Sequence, residues 1–114
     1  MMIRDIRKGD VCWANITFDD DRTIIKRRPI VVLDVSDKGL VVVICETRGF
    51  DESGKYYDQF KVPLWDWRSY GLSHASYAKT HKVYEVHAKS LDSYIGHMTK
   101  RDLKNIIDRI NASL

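Results

Sequence analysis

Cysteine is scarce in this chain: 114 residues contain only Cys12 and Cys45. Two are too few for the disulfide framework of a small secreted domain, and neither falls in a CxxC-type metal pattern. Both are expected as reduced thiols in strands. Long apolar runs are missing too, with nothing approaching the roughly 18 consecutive residues of a spanning helix. The opening Met1-Met2-Ile3-Arg4-Asp5 has no apolar stretch of the signal-peptide kind, so a cytoplasmic location is expected. Charge of one sign is also in short supply. Nineteen Lys and Arg against 16 Asp and Glu leave a net +3 at pH 7, too little for composition alone to argue for nucleic acid. No internal repeat, low-complexity tract or linker divides the chain. What is present, 44% hydrophobic and 31% charged residues, is ordinary globular composition in a length suited to one core, so residues 1–114 are read as one domain.

Read along its length, the chain alternates short strand signals with turn signals. Gly9-Asp10 opens a strand over Val11 to Ile16, followed by a solvated loop from Thr17 to Arg22 that carries Asp19-Asp20-Asp21. These adjacent carboxylates suit solvent better than a cation site. Pro29-Ile30-Val31-Val32-Leu33 is apolar on both faces, as a central strand is, and the proline fits a strand's first residue or an edge position. Ser36-Asp37-Lys38-Gly39 is a compact turn, and Leu40 to Cys45 repeats the two-faced pattern, so the two runs predict a hairpin. Arg48 to Asp58 reads as a polar loop, and a short strand follows around Gln59 to Val62, ended by Pro63. Trp65 to Tyr70 reads as a helical turn closed by Gly71, and Ser76 to Val86 as one or two strands. Thr99-Lys100-Arg101-Asp102 resembles a capping box, and Leu103, Ile106, Ile107 and Ile110 follow at helical spacing. The expected class is mainly β with a C-terminal α-helix, a small, partly closed β-barrel.

The basic and aromatic residues supply the candidates for a ligand site. Arg22, Lys26 and Arg27 place positive charge on one arm, suited to following a phosphate backbone or simply to a solvated face. Trp65, Trp67 and Tyr70 with Arg68 have the composition of a base-stacking surface, with core or dimer packing the alternative for at least one tryptophan. His74, His81, His87 and His97 have no diagnostic pair spacing. Of these, His74, near Gly71-Leu72, is the candidate to test. Cys45 has no adjacent base to make it a nucleophile and is expected as a buried thiol.

Gly9-Asp10-Val11, then Arg28-Pro29-Ile30-Val31-Val32-Leu33, then Val41-Val42-Val43-Ile44 leading to Thr47, form an ordered set that resembles the MazF/PemK-like toxins of toxin–antitoxin systems. Pro63-Leu64, Gly71-Leu72, Ser76, Ile95-Gly96 and Asp102-Leu103 extend the likeness over nearly the whole chain. The resemblance implies an SH3-like barrel with a terminal helix, acting as a homodimer. It also implies a sequence-specific endoribonuclease that cuts single-stranded mRNA without metal or cofactor, stops translation, and is neutralised by a cognate antitoxin. By the same resemblance Arg28 and Thr47 are catalytic. Arg22, Lys26, Arg27, Arg48, Trp67, Arg68 and His74 are the RNA-binding candidates beside them. Two features depart from the family pattern. The first loop carries Asp19-Asp20-Asp21-Arg22 where many relatives have a Gly-x-Glu element. Arg48 follows the threonine where a small or polar residue is usual. Arginine suits phosphate because its planar guanidinium offers forked donors and never loses its charge, which also makes it a poor proton donor. Arg28 is therefore assigned mainly to stabilising charge on the phosphoryl oxygens, with proton donation to the leaving 5′-oxygen as an extra role, and Thr47 to hydrogen-bonding one of those oxygens or orienting the attacking hydroxyl. A barrel of this kind could instead be a non-catalytic toxin acting on a protein target such as a topoisomerase, or a plain binding module.

Overall fold

A computed structural model of the chain describes residues 5–18, 21–47 and 59–112. The acidic tip Asp19-Asp20, Arg48 and the loop expected over residues 48–58 lie outside them. Seven strands, β1 (Asp10–Phe18), β2 (Asp21–Val35), β3 (Leu40–Thr47), β4 (Lys61–Pro63), β5 (Tyr77–Lys79), β6 (Tyr84–His87) and β7 (Leu91–His97), precede one helix, α1 (Lys100–Ala112). All pairings are antiparallel and run β4-β5-β3-β2-β1-β7, with β6 on β3. The terminal strands of that path do not pair among the described residues, so the barrel is partly closed, not sealed. No helix of the described residues is long and apolar enough to cross a membrane.

The two-faced apolar runs follow from two cores on opposite faces of one sheet. Ile30, Val32, Val41, Val43 and Cys45 pack with Cys12, Ala14, Ile16 and Leu91, whereas Val31 and Ile44 pack with Val62, Leu64, Tyr70, Ala78 and Ile106. Alternation along a strand sends neighbouring side chains to opposite faces, so a strand buried on both must be apolar throughout. Ile106 of α1 is fully buried in the second core and Leu103 and Ile110 pack against it. Residues 36–39 turn the β2–β3 hairpin as expected.

The loop expected from Thr17 to Arg22 is mostly strand. β1 runs on to Phe18 and β2 starts at Asp21. Ile25 is 63% exposed and Lys26 and Arg27 are exposed. This end of the hairpin therefore projects past the core, where polar residues cost a strand little. Pro29 is inside β2, not at its head, but β3 joins β2 only from Ile30 onward, so the proline sits at a local edge. The strand expected at Gln59 to Val62 is Lys61–Pro63, and Ser76 to Val86 divides into β5 and β6. β7, which pairs with β1, has no clear signal in its mixed sequence Leu-Asp-Ser-Tyr-Ile-Gly-His.

The cap of α1 is half of the expected box. The Asp102 N–H donates to Thr99 Oγ1 at 3.3 Å, but the Asp102 carboxylate does not reach back to Thr99. It is fully buried and accepts from the backbone N–H groups of Trp65 and Asp66, both at 3.0 Å, and from the Tyr70 hydroxyl at 2.6 Å. The Thr99 N–H donates instead to Tyr70 Oη at 3.1 Å. Tyr70 is thus a core residue and not part of a stacking surface. Burial, and then the hydrogen bond to Asp102, push its hydroxyl up to about 12. A phenol whose folded pKa exceeds its unfolded value adds stability that is intact below about pH 10 and lost as pH rises through the folded value. An alkaline unfolding series should show a fall in stability between about pH 10 and 12 that Tyr70→Phe removes; an unchanged curve in the variant would refute the assignment.

Candidate active site

The site begins where two strands part. β2 and β3 pair from Val35–Val41 to Ile30–Cys45; beyond Cys45, β3 takes β5 as its partner, with Glu46 opposite Ala78 and Thr47 opposite Tyr77. Continuing the Ile30–Cys45 register by two residues sets Arg28 level with Thr47 across the opening. Alternation puts both on the face that carries Ile30 and Cys45. Arg28 and Thr47 thus flank the point where the two strands part, each two residues beyond the last pair, Ile30–Cys45. Arg28 is half-buried.

Three lysines gather at the same place. Lys61 is opposite Lys79 on β4 and β5, and Lys79 lies two residues from Tyr77, the partner of Thr47. Burial, then the charges of Arg28, Lys61 and Lys82, push the Lys79 ammonium below its ordinary range. Burial, followed by Lys79, Lys82 and Lys61, does the same to His81. Sequence reasoning does not single out Lys61, Lys79, His81 and Lys82 as a site. They are dispersed along the chain, and only the β4–β5–β3 ladder assembles them around Arg28. The signal available is one lysine at the end of each of two three-residue strands. Burial, with the charge of Glu46 and partly offset by the nearby cations, raises the Cys45 thiol, which is free and buried.

The opening continues into a cleft of about 600 Å³ lined by Trp13, Lys26, Arg27, Arg28, Pro29, Glu46 and residues 71–74. Its far wall is set by the 3₁₀ turn Trp67–Tyr70, which Gly71 terminates at φ +68°, a left-handed conformation that favours glycine. β7 can approach that turn only because residue 96 has no side chain: a Cβ there would lie 3.0 Å from Ser69 O and 3.1 Å from Tyr70 Cα. The wall is therefore tied to the sheet by Gly96 and to α1 by Asp102.

Of the expected RNA-binding residues, Lys26, Arg27 and His74 line this cleft with Arg28. Arg27 lies 4.5 Å over the Trp13 ring and forks onto Asp92 at 2.7 and 3.0 Å. Trp67 and Arg68 stack on one another at 4.4 Å away from the cleft lining, and Trp65 is 62% exposed. The side chain of Arg22, like Arg48, lies outside the described residues. His97 bonds Asp10 through Nδ1 at 2.8 Å, which anchors the start of β1. Glu46, unremarked in the sequence, is a carboxylate only 6% exposed in the cleft wall. Among the described residues no group of three or more His, Cys, Asp or Glu is placed to hold a metal.

The chain resembles solved toxins over almost its full length. MazF from Deinococcus radiodurans is 17% identical, with a TM-score of 0.71 over 95% of this chain and 94% of that one. The toxin MazF-mt6 of Mycobacterium tuberculosis is 16% identical, with a TM-score of 0.67 over 91% and 94%. A mycobacterial endoribonuclease solved with its cognate antitoxin is 13% identical, with a TM-score of 0.67 over 95% and 93%. These likenesses establish the fold. No curated protein matches the sequence. The family model for PemK-like, MazF-like toxins of type II toxin–antitoxin systems matches residues 7–114. That match spans nearly the whole chain, which belongs to this toxin family.

Proposed function

We propose that the protein is a sequence-specific endoribonuclease toxin that cleaves single-stranded mRNA without a metal. It acts in the cytoplasm as a homodimer of one toxin domain spanning residues 1–114, and a cognate antitoxin neutralises it. The observation that carries this reading is the parting of β2 and β3 beyond Ile30–Cys45, where the charge of Arg28 acts together with those of Lys61 and Lys82 on the half-buried Lys79. RNA carries its own nucleophile. Its 2′-hydroxyl gives up a proton and attacks the adjacent phosphorus, a bond forms to give a 2′,3′-cyclic phosphate, and the bond to the 5′-oxygen breaks as that oxygen takes up a proton to leave as a hydroxyl. A protein need only align that attack and neutralise charge on the phosphoryl oxygens, which a forked guanidinium does without a metal. Arg28 takes that role and Thr47 holds a phosphoryl oxygen or the attacking hydroxyl. The solved mycobacterial endoribonuclease with its antitoxin, similar over nearly the whole chain, supports the activity and the partner alike.

Purified protein in excess chelator should cut a mixed-sequence single-stranded RNA at a short preferred sequence. Mapping the new ends checks it. No cutting by folded protein would favour a toxin that acts by binding a protein target such as a topoisomerase.

A further inference from the structure

Glu46 and His74 present a problem that the cleavage reading leaves unsolved. Glu46 Oε1 and His74 Nε2 are buried without a hydrogen-bond partner among the described residues. They stand 3.8 Å apart, too far to satisfy each other directly. A buried acceptor left unpaired costs free energy that native structures seldom leave uncompensated, and these two atoms belong to residues lining the cleft that Arg28 also lines. On the other side of the imidazole, Ser73 Oγ lies 2.9 Å from Nδ1. A serine hydroxyl donating there leaves the proton on Nε2. The wall then offers, in order, one N–H donor from His74 and two acceptor oxygens from Glu46.

We propose that this cleft is a guanine-reading pocket, with His74 Nε2–H donating to guanine O6 and the Glu46 carboxylate accepting from N1–H and the N2 amino group. The inference rests on the RNA-cleavage reading for its substrate class. Only guanine shows acceptor, donor, donor along its Watson–Crick edge. Uracil shows acceptor, donor, acceptor, and adenine and cytosine place an amino donor where the His74 N–H points. Single-stranded RNA is read in this way, by bases splayed out, stacked on aromatic or guanidinium planes and bonded along that edge. Trp13 and the Arg27 guanidinium over it are planes of that kind. Asp92, fixed to Arg27 by two hydrogen bonds, holds the second in place. The cleft volume of about 600 Å³ accommodates a nucleotide. Entry requires the His74 ring to turn; it is 33% exposed and its ring is held by one exposed hydrogen bond from Ser73. Arg28 lines the same cleft, while Glu46 faces the side of β3 opposite Thr47, so the base read belongs to a nucleotide near the scissile phosphate.

The test is a titration of the whole protein with the 5′-monophosphates of guanosine, inosine, adenosine, cytidine and uridine, followed by NMR and needing no cleavage. Guanosine monophosphate should bind about tenfold or more tightly than inosine monophosphate, which lacks the N2 amino group, and than the other three. Glu46→Gln, which turns one acceptor into a donor, should erase the preference. If that variant does not fold by circular dichroism, His74→Ala should weaken guanosine binding by removing the O6 donor. Equal binding of the five nucleotides, or a preference untouched in the folded variants, overturns the proposal. The two readings fail separately. RNA cut with no guanine beside the mapped ends, with indifferent nucleotide binding, sinks the pocket and keeps the nuclease. A guanosine preference in a protein that leaves RNA uncut keeps the pocket and sinks the nuclease.

Discussion

Arg28→Ala should lower RNA cleavage by about a thousandfold or more while leaving the protein folded. Removing one preorganised donor to a developing oxyanion costs on the order of 10² to 10³ in rate. Here the lost group also carries the charge that balances the phosphoryl oxygens. Stability should change by no more than about 0.5 kcal/mol, the range of a substitution that breaks no core or network. Arg28 is half-buried, and its side chain makes no hydrogen bond or ion pair with another described residue whose loss would add to the cost. Its loss also relieves repulsion, since the positive charge of Arg28 acts on Lys79. Arg28→Lys separates charge from shape. An ammonium keeps the charge but not the fork, so cleavage should be intermediate, on the order of tenfold to a hundredfold down. Cleavage-rate measurements beside thermal melts decide the matter. Full activity in a folded Arg28→Ala protein would remove Arg28 from the mechanism, and a melted variant that regains activity when stabilised would make its role structural.

Periodicity and turn chemistry are local properties, and what they govern is readable. The β2–β3 hairpin follows from two apolar runs around Ser36-Asp37-Lys38-Gly39, and α1 from its cap and its apolar spacing. The Arg28–Thr47 pairing is readable only through resemblance, because the register that aligns them is fixed at Ile30–Cys45 by core packing. The lysine cluster depends on β4 and β5, strands of three residues each, too short to show a period. Glu46 lies in a run of otherwise apolar strand residues, where sequence alone makes a carboxylate look like an edge residue facing solvent. It is nonetheless buried, with His74 of the loop at residues 71–74 standing 3.8 Å from its carboxylate. Asp102 misleads most directly. At that offset from Thr99 a capping box is the local expectation, but a tertiary demand, two backbone N–H groups and a buried phenol, claims the carboxylate instead.

That demand sets the second large effect, on stability. Asp102→Ala should destabilise the protein by about 4 kcal/mol, since it leaves the N–H groups of Trp65 and Asp66 and the Tyr70 hydroxyl without their acceptor, at roughly 1 to 3 kcal/mol each with partial relaxation. Against the roughly 5–15 kcal/mol that holds a small domain together, this is a large share, and the melting temperature should fall on the order of 15 °C. Asp102→Asn keeps one acceptor oxygen and should lose about half as much. Thr99→Ala, which removes the Oγ1 that accepts the Asp102 N–H at 3.3 Å and donates to Asp66 Oδ2 at 2.7 Å, should cost about 1.5 kcal/mol, a cap and one further hydrogen bond between partly exposed groups. The expected order has Asp102→Ala least stable, Asp102→Asn next and Thr99→Ala most stable of the three. That order separates a network anchor from a simple cap, for which the Thr99 change would be the most damaging. The consequence reaches the cleft. Asp102 holds the chain at Trp65 and Asp66 and, through Tyr70, the turn that leads into Gly71 to His74. Well below its melting temperature, the folded Asp102→Asn protein should keep its secondary structure but cut RNA more slowly, because the wall facing Arg28 is no longer fixed. A stability loss under about 1 kcal/mol for Asp102→Ala would mean that water replaces the carboxylate at little cost and that the wall is held by Gly96 and the sheet alone.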